Sequence, residues 1–415
     1  MKILHLYPKQ TWTRPIHVSI PKRYVYFWEI GSYISKYFDT TSIDSLHPKY
    51  SIFDLTKLIL KEKYDVIVML VRVENVIQAH KFSEFIKLIY PQIKILYYWD
   101  IVNFIPKFFE KNELIDGFVY DGDWEHSIVS YLNYTQDKNE DILSGIYVKE
   151  KNKYYKVKKE LDARDYPDTK EKMFQYYNEM NWKKQLTFSI SRWCPYNCKF
   201  CLSTCTFWSK DRRKPVNEVI EYIKQNTDKF DSFKLFSPTF NLDKIWVKEF
   251  CNNIIENNIK ISWCSTSRID LLLDEDTIKL MAESWCYKIS VWIETLNESS
   301  KYLKKEFTIS QITKVAELFN KYNIILKWLI MLWIPKQTKD DIFELFDLLE
   351  RNNIKIRPTA YSPMYLLKTI WEISLNEIQK FDKFTYYDNN IQWLSKEDFF
   401  TLIIDPYCYK EVLKR

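Results

Sequence analysis

Three cysteines, Cys194, Cys198 and Cys201, sit within eight residues in the run Ser191-Arg192-Trp193-Cys194-Pro195-Tyr196-Asn197-Cys198-Lys199-Phe200-Cys201. This C-x3-C-x2-C loop offers three soft thiolate ligands from one short segment. Three thiolates bind three irons of a cubane cluster and leave the fourth iron open to an exchangeable ligand. Zinc is the competing metal, but a closed structural zinc site takes four ligands. None of the five histidines (His5, His17, His47, His80 and His126) is near in sequence, so Cys205 would have to serve as the fourth. Eight cysteines in 415 residues are too few for a disulfide scaffold. Their crowding points instead to metal in a reducing compartment.

The rest of the chain supplies elements to position that loop. Its length exceeds what one core usually serves, so a domain boundary is expected. Hydrophobic residues at 46% and aromatics at 17% exclude disorder. No apolar run reaches the ~18 residues of a membrane span. The N-terminal MKILHLYPKQ reads as a first strand rather than a signal peptide, which predicts a cytoplasmic location. Residues 1–148 alternate short β-rich runs (KILHLYP, TTSIDSL, DVIVML, KILYYWD, DGFVY) with helical stretches, the pattern of a Rossmann-like, doubly wound parallel sheet. Residues 149–184 read as a linker rich in Lys, Glu, Asp and Tyr. A second series over 185–361 repeats strand then helix: LTFSI, FKLFS, KISWCS, YKISVWIE, IILKWLIML and KIRPTAY. That predicts an α/β partial (β/α)6 barrel, followed by an aromatic extension over 362–415. Chemistry in such barrels sits at the C-terminal strand ends, and the first strand here runs straight into the cysteines.

With those residues in view, the chain resembles the radical S-adenosylmethionine superfamily, whose loop is C-x3-C-x-Φ-C with an aromatic Φ, here Phe200. The resemblance implies one [4Fe–4S] cluster on Cys194, Cys198 and Cys201, with S-adenosylmethionine on the open iron and a 5′-deoxyadenosyl radical as product of its reductive cleavage. An electron donor is implied too. SPTFNLDKIWVKEF (237–250) resembles the second-strand loop, bringing Phe240 near the cofactor, with Ser237 where an acid is common. STSRIDLLLDEDTIKLM (265–281) resembles the third-strand segment, in which Arg268 would pair bidentately with the cofactor carboxylate. KISVWIETLN (288–297) places Glu294 near its amine or ribose. LIMLWIPKQTKDD (329–341), containing Pro335, resembles the turn that lines the adenine.

The front domain resembles the cobalamin-binding-type domain of one large subgroup, through Asp121-Gly122-Asp123-Trp124-Glu125. No histidine lies in the Asp-x-His-x-x-Gly pattern, so whether cobalamin is bound or the domain is a structural lid stays open.

The composition carries one anomaly, four glycines against fifteen tryptophans, with all the glycines before residue 150. The remaining 265 residues would ordinarily hold about 19 at a usage of ~7%. The family pattern has glycine at Trp28, Trp124, Trp193, Trp285, Trp292 and Trp333, and less clearly at Trp328. One reading takes these tryptophans as UGA codons that the source translates as glycine, with Trp246 and Trp263 as true tryptophans; the alternative, that the polypeptide as written is the real one, predicts a damaged cofactor site.

The leading function is therefore radical chemistry, a methylation or a cyclisation, on a small metabolite, lipid or peptide. A tRNA methylthiotransferase-like enzyme is the alternative, but it would carry a second cysteine triad before Cys194. A non-catalytic zinc or nucleic-acid binding module is a further one. It rests on the basic run Lys210-Asp211-Arg212-Arg213-Lys214, which also reads as a solvated face or a rim for an anionic substrate. The net charge of +6 is spread along the chain and does not demand a nucleic acid partner.

Overall fold

The computed structural model describes residues 1–9, 25–45, 50–158, 161–162, 185–192, 194–201, 211–370, 372–382 and 394–413. They group into two compact units.

The first unit is built on a seven-stranded sheet. Its strands are β1 (Lys2–Tyr7), β2 (Asp39–Asp44), β3 (Val66–Leu70), β4 (Lys94–Tyr98), β5 (Gly117–Val119), β6 (Ile146–Val148) and β7 (Lys153–Tyr155), in the order β2-β1-β3-β4-β5-β6-β7. The first five are parallel. Every residue of β3 is buried, as required of a strand covered on both faces by crossover helices. Those helices include α1 (Val25–Ile34), α2 (Ile52–Glu62), α3 (Val76–Ile89) and α6 (Trp124–Asp137). The strand order reverses at β1, the switch point beside which doubly wound sheets bind ligands.

Two boundaries differ from the sequence reading. The segment from 149 is not linker at its start, because β7 pairs antiparallel with β6, itself antiparallel to β5. Cross-strand aromatic contacts hold it, with Tyr147 and Tyr154 centroids 4.8 Å apart and Phe118 4.9 Å from Tyr147. Only two tyrosines in KNKYY carry the apolar signal, which is why it read as polar. The C-terminal extension is also divided, since its described residues 362–382 join the first unit and 394–413 the second.

Asp100, just beyond β4, is fully buried in this unit, and that burial pushes its carboxyl up to about 6 despite the Arg72 guanidinium 3.7 Å away. Its folded pKa thus lies above the unfolded value of about 3.9. Between those values the folded state holds more protons, so stability falls as pH rises from about 4 to about 6. A shift of about 2 units corresponds to roughly 2–3 kcal/mol. The stability difference between the wild type and Asp100→Asn should change by about that amount between pH 4 and pH 7 in urea unfolding. A difference that stays constant over that range would show that the carboxyl is not held this way.

The second unit carries six parallel strands, β8 (Gln185–Ser189) and β11 to β15 (Ser232–Phe236, Trp263–Ser267, Cys286–Trp292, Ile325–Leu332 and Lys355–Ala360), in the order β15-β14-β13-β12-β11-β8. The intervening helices start where the sequence carries cap residues. Thr308 with Gln311, and Thr338 with Asp341, close reciprocal capping boxes. Their ends follow a common rule. After the helices Lys244–Glu256, Ile309–Lys321 and Lys339–Arg351, an asparagine (Asn258, Asn323, Asn353) adopts φ of 49°, 55° and 55°. The isoleucine that follows each one is buried and donates its N–H back to a carbonyl of the helix's last turns. This is the left-handed helix stop that glycine usually supplies.

Candidate functional site

The chain leaves β8 and enters a two-residue strand, β9 (Ser191–Arg192), antiparallel to β10 (Arg212–Arg213). Ser191 Oγ lies 2.7 Å from Ser237 Oγ, which accepts the Thr239 N–H at 3.2 Å. Arg213 reaches inward, donating to the carbonyls of Phe240 (2.8 Å) and Thr239 (3.1 Å) and pairing with Asp211 at 3.0 Å. Its side chain is only 7% exposed. Within the basic run this residue is a buried tie for the second-strand loop rather than a solvated face. Lys210 lies outside the described residues.

The cysteine loop is pinned at both ends. Cys194 Sγ lies 3.4 Å from Thr239 Oγ1. The Lys199 N–H donates to Leu303 O at 3.1 Å, and its ammonium sits 3.7 Å over the Tyr302 ring. Cys201 N–H donates to Cys198 O at 3.0 Å. None of the three is in a disulfide, with Cys198 buried and the other two partly exposed. Burial pushes the Cys198 thiol up to about 11, opposed by the charges of Lys305 and Arg268. Among the described residues no three His, Cys, Asp or Glu side chains converge as a metal site, so the donors share a loop without closing on one point. Cys205 and Trp193 lie outside the described residues.

Arg268, at the end of β12, stacks on Tyr196 at 3.7 Å and brings Nη1 to 3.7 Å from Cys198 Sγ. Its bidentate fork is engaged by Asp270, at 3.1 Å on both carboxylate oxygens. Glu294, just past β13 and 2% exposed, accepts from Lys305 Nζ at 3.0 Å. Lys305 is also buried, donates to Trp292 O at 2.6 Å, and lies 5.7 Å and 5.6 Å from the Phe200 and Phe307 rings. A buried charge needs such a partner, since removal from water is costly. Phe307 is thus flanked by both cations, Arg268 being 5.4 Å away. The sequence reading missed Lys305. The alternation Leu303-x-Lys305-x-Phe307 just before the Thr308 cap was the available signal.

The other expected residues are placed differently. Phe240 is wholly buried, its ring packed among Trp246, Phe250 and Trp263, so it shapes the loop from the core side. Pro335 lies in a turn held by Gln337, which donates to Met331 O (3.0 Å) and Thr295 Oγ1 (3.2 Å). Trp333 in the same turn stacks on Phe399 at 3.5 Å and is 5% exposed. Nearer the strand starts, Lys234, Lys288, Lys327 and Arg357 alternate with buried residues such as Leu235, Ile289, Trp328 and Ile356. Burial first, then these neighbouring cations, bring Lys327 down to about 8.

The donor set fits an iron–sulfur cluster: soft thiols on one loop, with two cations nearby to offset thiolate charge. A ligand at the front sheet's C-terminal edge fits less well. There Trp99, directly after β4, stacks on Trp124, the first residue of α6, at 4.0 Å, and both are buried.

Comparison with known proteins agrees with this architecture. Residues 188–349 match the model of the Radical SAM superfamily. An uncharacterised methyltransferase of Pyrococcus horikoshii is 22% identical over 188 residues, 45% of this chain and 41% of that one. The chain spans at most about half the length of the curated relatives it matches. The fold is shared with the radical S-adenosylmethionine methyltransferase TsrM from Kitasatospora setae, solved with tryptophan substrate and a SAM analogue, with a TM-score of 0.68 at 11% identity over 88% of this chain and 75% of that one. It is shared also with the cobalamin-dependent S-adenosylmethionine radical enzyme OxsB, with a TM-score of 0.70 at 16% identity over 93% of this chain and 56% of that one. The six-stranded parallel sheet, the cysteine loop leaving its first strand and the match over 188–349 identify that segment as similar to the Radical SAM superfamily domain.

Proposed function

We propose that Cys194, Cys198 and Cys201 hold one [4Fe–4S] cluster and that the chain starts radical chemistry, a methylation or cyclisation, on a small molecule, lipid or peptide. The observation that carries this reading is the placement of three cysteine thiols, none in a disulfide, on the loop leaving β8, beside Arg268 and Lys305. When bound, the cluster supplies one electron for cleavage of S-adenosylmethionine. Around it the protein's own groups have separable tasks. Lys305 neutralises Glu294 and fixes the β13 end through Trp292 O. Arg268 holds the loop by stacking on Tyr196. Gln337 shapes the turn that would face the adenine.

Methylation is supported by the methyltransferases among the similar proteins, and cobalamin by the front domain's likeness to OxsB. The indoles at the sheet edge oppose cobalamin in the chain as it stands.

The test is anaerobic reconstitution with iron and sulfide, followed by reduction with S-adenosylmethionine and an assay for 5′-deoxyadenosine. Four irons and four sulfides per chain with product formation are expected for the cluster of this reading. One tightly bound zinc and no product would replace it with the binding-module reading.

A further inference from the structure

Eleven described residues other than glycine adopt a positive φ: four asparagines, four lysines and three tryptophans, Trp99, Trp285 and Trp333. Asparagine is the commonest exception to the glycine rule, and the lysines end turns. Tryptophan has no such excuse, because its Cβ meets the same clash and its indole gains nothing locally. None of the described phenylalanines or tyrosines behaves this way, although the chain has 26 and 30 of them. Three of the nine described tryptophans do.

Each of the three has its own geometry. Trp99 combines φ 110° with ψ −175°, a region of backbone space that is essentially glycine's alone. Trp285 (φ 70°) stops the helix Glu275–Glu283 at the place that Asn258, Asn323 and Asn353 take in the three sister connectors. Its indole is 56% exposed, so packing does not explain it. Trp333 (φ 69°) lies in the turn expected to line the adenine and presses on Phe399. The contrast is with Trp246 and Trp263, whose backbones are ordinary. Their Nε1 groups donate to Lys214 O at 2.7 Å and Ser284 O at 2.6 Å inside an aromatic core.

We infer that positions 99, 285 and 333 are glycine positions, and that the protein made by its source carries glycine at all three through UGA codons read as glycine. At 99 the glycine removes half of the indole stack that fills the front sheet's C-terminal edge. At 333 it bares the backbone of the turn next to Gln337. Backbone approach of this kind is what bound cofactors use glycine for. Four residues of the sequence-based set, Trp28, Trp124, Trp292 and Trp328, have backbones that accept a side chain, so the inference does not rest on them. Backbone geometry and composition point to glycine at these positions whatever reaction the chain performs.

Tryptic peptides of the protein purified from its own source decide the matter. Peptides 95–107, 280–288 and 328–336 should contain glycine at 99, 285 and 333, while 261–268 keeps Trp263. Tryptophan in any of the first three overturns the inference. A second readout needs no native material. In the chain made with tryptophan at these positions, Trp285→Gly should raise the unfolding midpoint by about 2–4 °C, the shift expected when strain of this size is relieved in a domain of this length. Trp246→Gly should lower it. A fall for both would show that Trp285 is at home in its turn and would equally overturn the inference.

Discussion

Replacing any one of Cys194, Cys198 and Cys201 with alanine should reduce 5′-deoxyadenosine formation to background and remove the absorption of the cluster proposed on them. Replacing Cys251 or Cys286 should do neither. The difference is positional. Cys251 and Cys286 are buried in the barrel's outer core, where burial pushes both thiols up, to about 12 for Cys251, and they act as small hydrophobes. The three loop thiols lie on a segment whose ends are tied to Thr239 and Leu303, so that one missing donor cannot be replaced by a neighbour. The apo-protein's far-ultraviolet circular dichroism should be the same for all five variants. Retention of both cluster and product in a loop variant would remove that cysteine from the ligand set and bring Cys205 into consideration.

The second large effect is on stability. Lys305→Met leaves Glu294 buried without its counter-charge, and loss of one partner of such a pair costs about 3–5 kcal/mol. Replacing both members together, as Lys305→Met with Glu294→Leu, should recover much of that loss, because two buried apolar groups no longer require a charge. Urea unfolding of the two single variants and the double variant closes the cycle. A single variant as stable as the wild type would mean that water reaches the pair and that its apparent burial does not hold. Cofactor binding, by contrast, should be lost in both Lys305→Met and the double variant, since both remove the lysine that fixes Trp292 O. That separates positioning from simple folding.

The period of the hydrophobic pattern carried most of the architecture, since each barrel strand lies within a residue or a few of its expected span. The cysteine spacing carried the proposed chemistry. What stayed hidden depended on partners distant in sequence. Lys305 looks like any lysine in SSKYLKKEF until Glu294 is set 3.0 Å from it. β7 is three residues of KYY whose pairing comes entirely from β6. The inward turn of Arg213 follows from carbonyls on a loop 26 residues further on. Phe240 illustrates the converse, because the motif around it was legible but the direction of its ring was not, and the ring faces the core. Trp99 was overlooked because a tryptophan after KILYY reads as the natural end of a strand, while its φ of 110° is invisible without a backbone.

The asparagines that stop three barrel helices would have a meaning at the level of a gene poor in G and C. Every standard glycine codon begins with two guanines, whereas asparagine and lysine codons all begin with two adenines. A coding sequence under pressure to lose G and C therefore gives up glycine caps first and replaces them with the next residues able to turn left-handed, at a cost of about 1 kcal/mol or more apiece. Where neither asparagine nor lysine will do, as beside a cofactor or at φ 110°, such a gene needs a cheaper way to spell glycine. A reassigned stop codon containing a single adenine, guanine and uracil provides one.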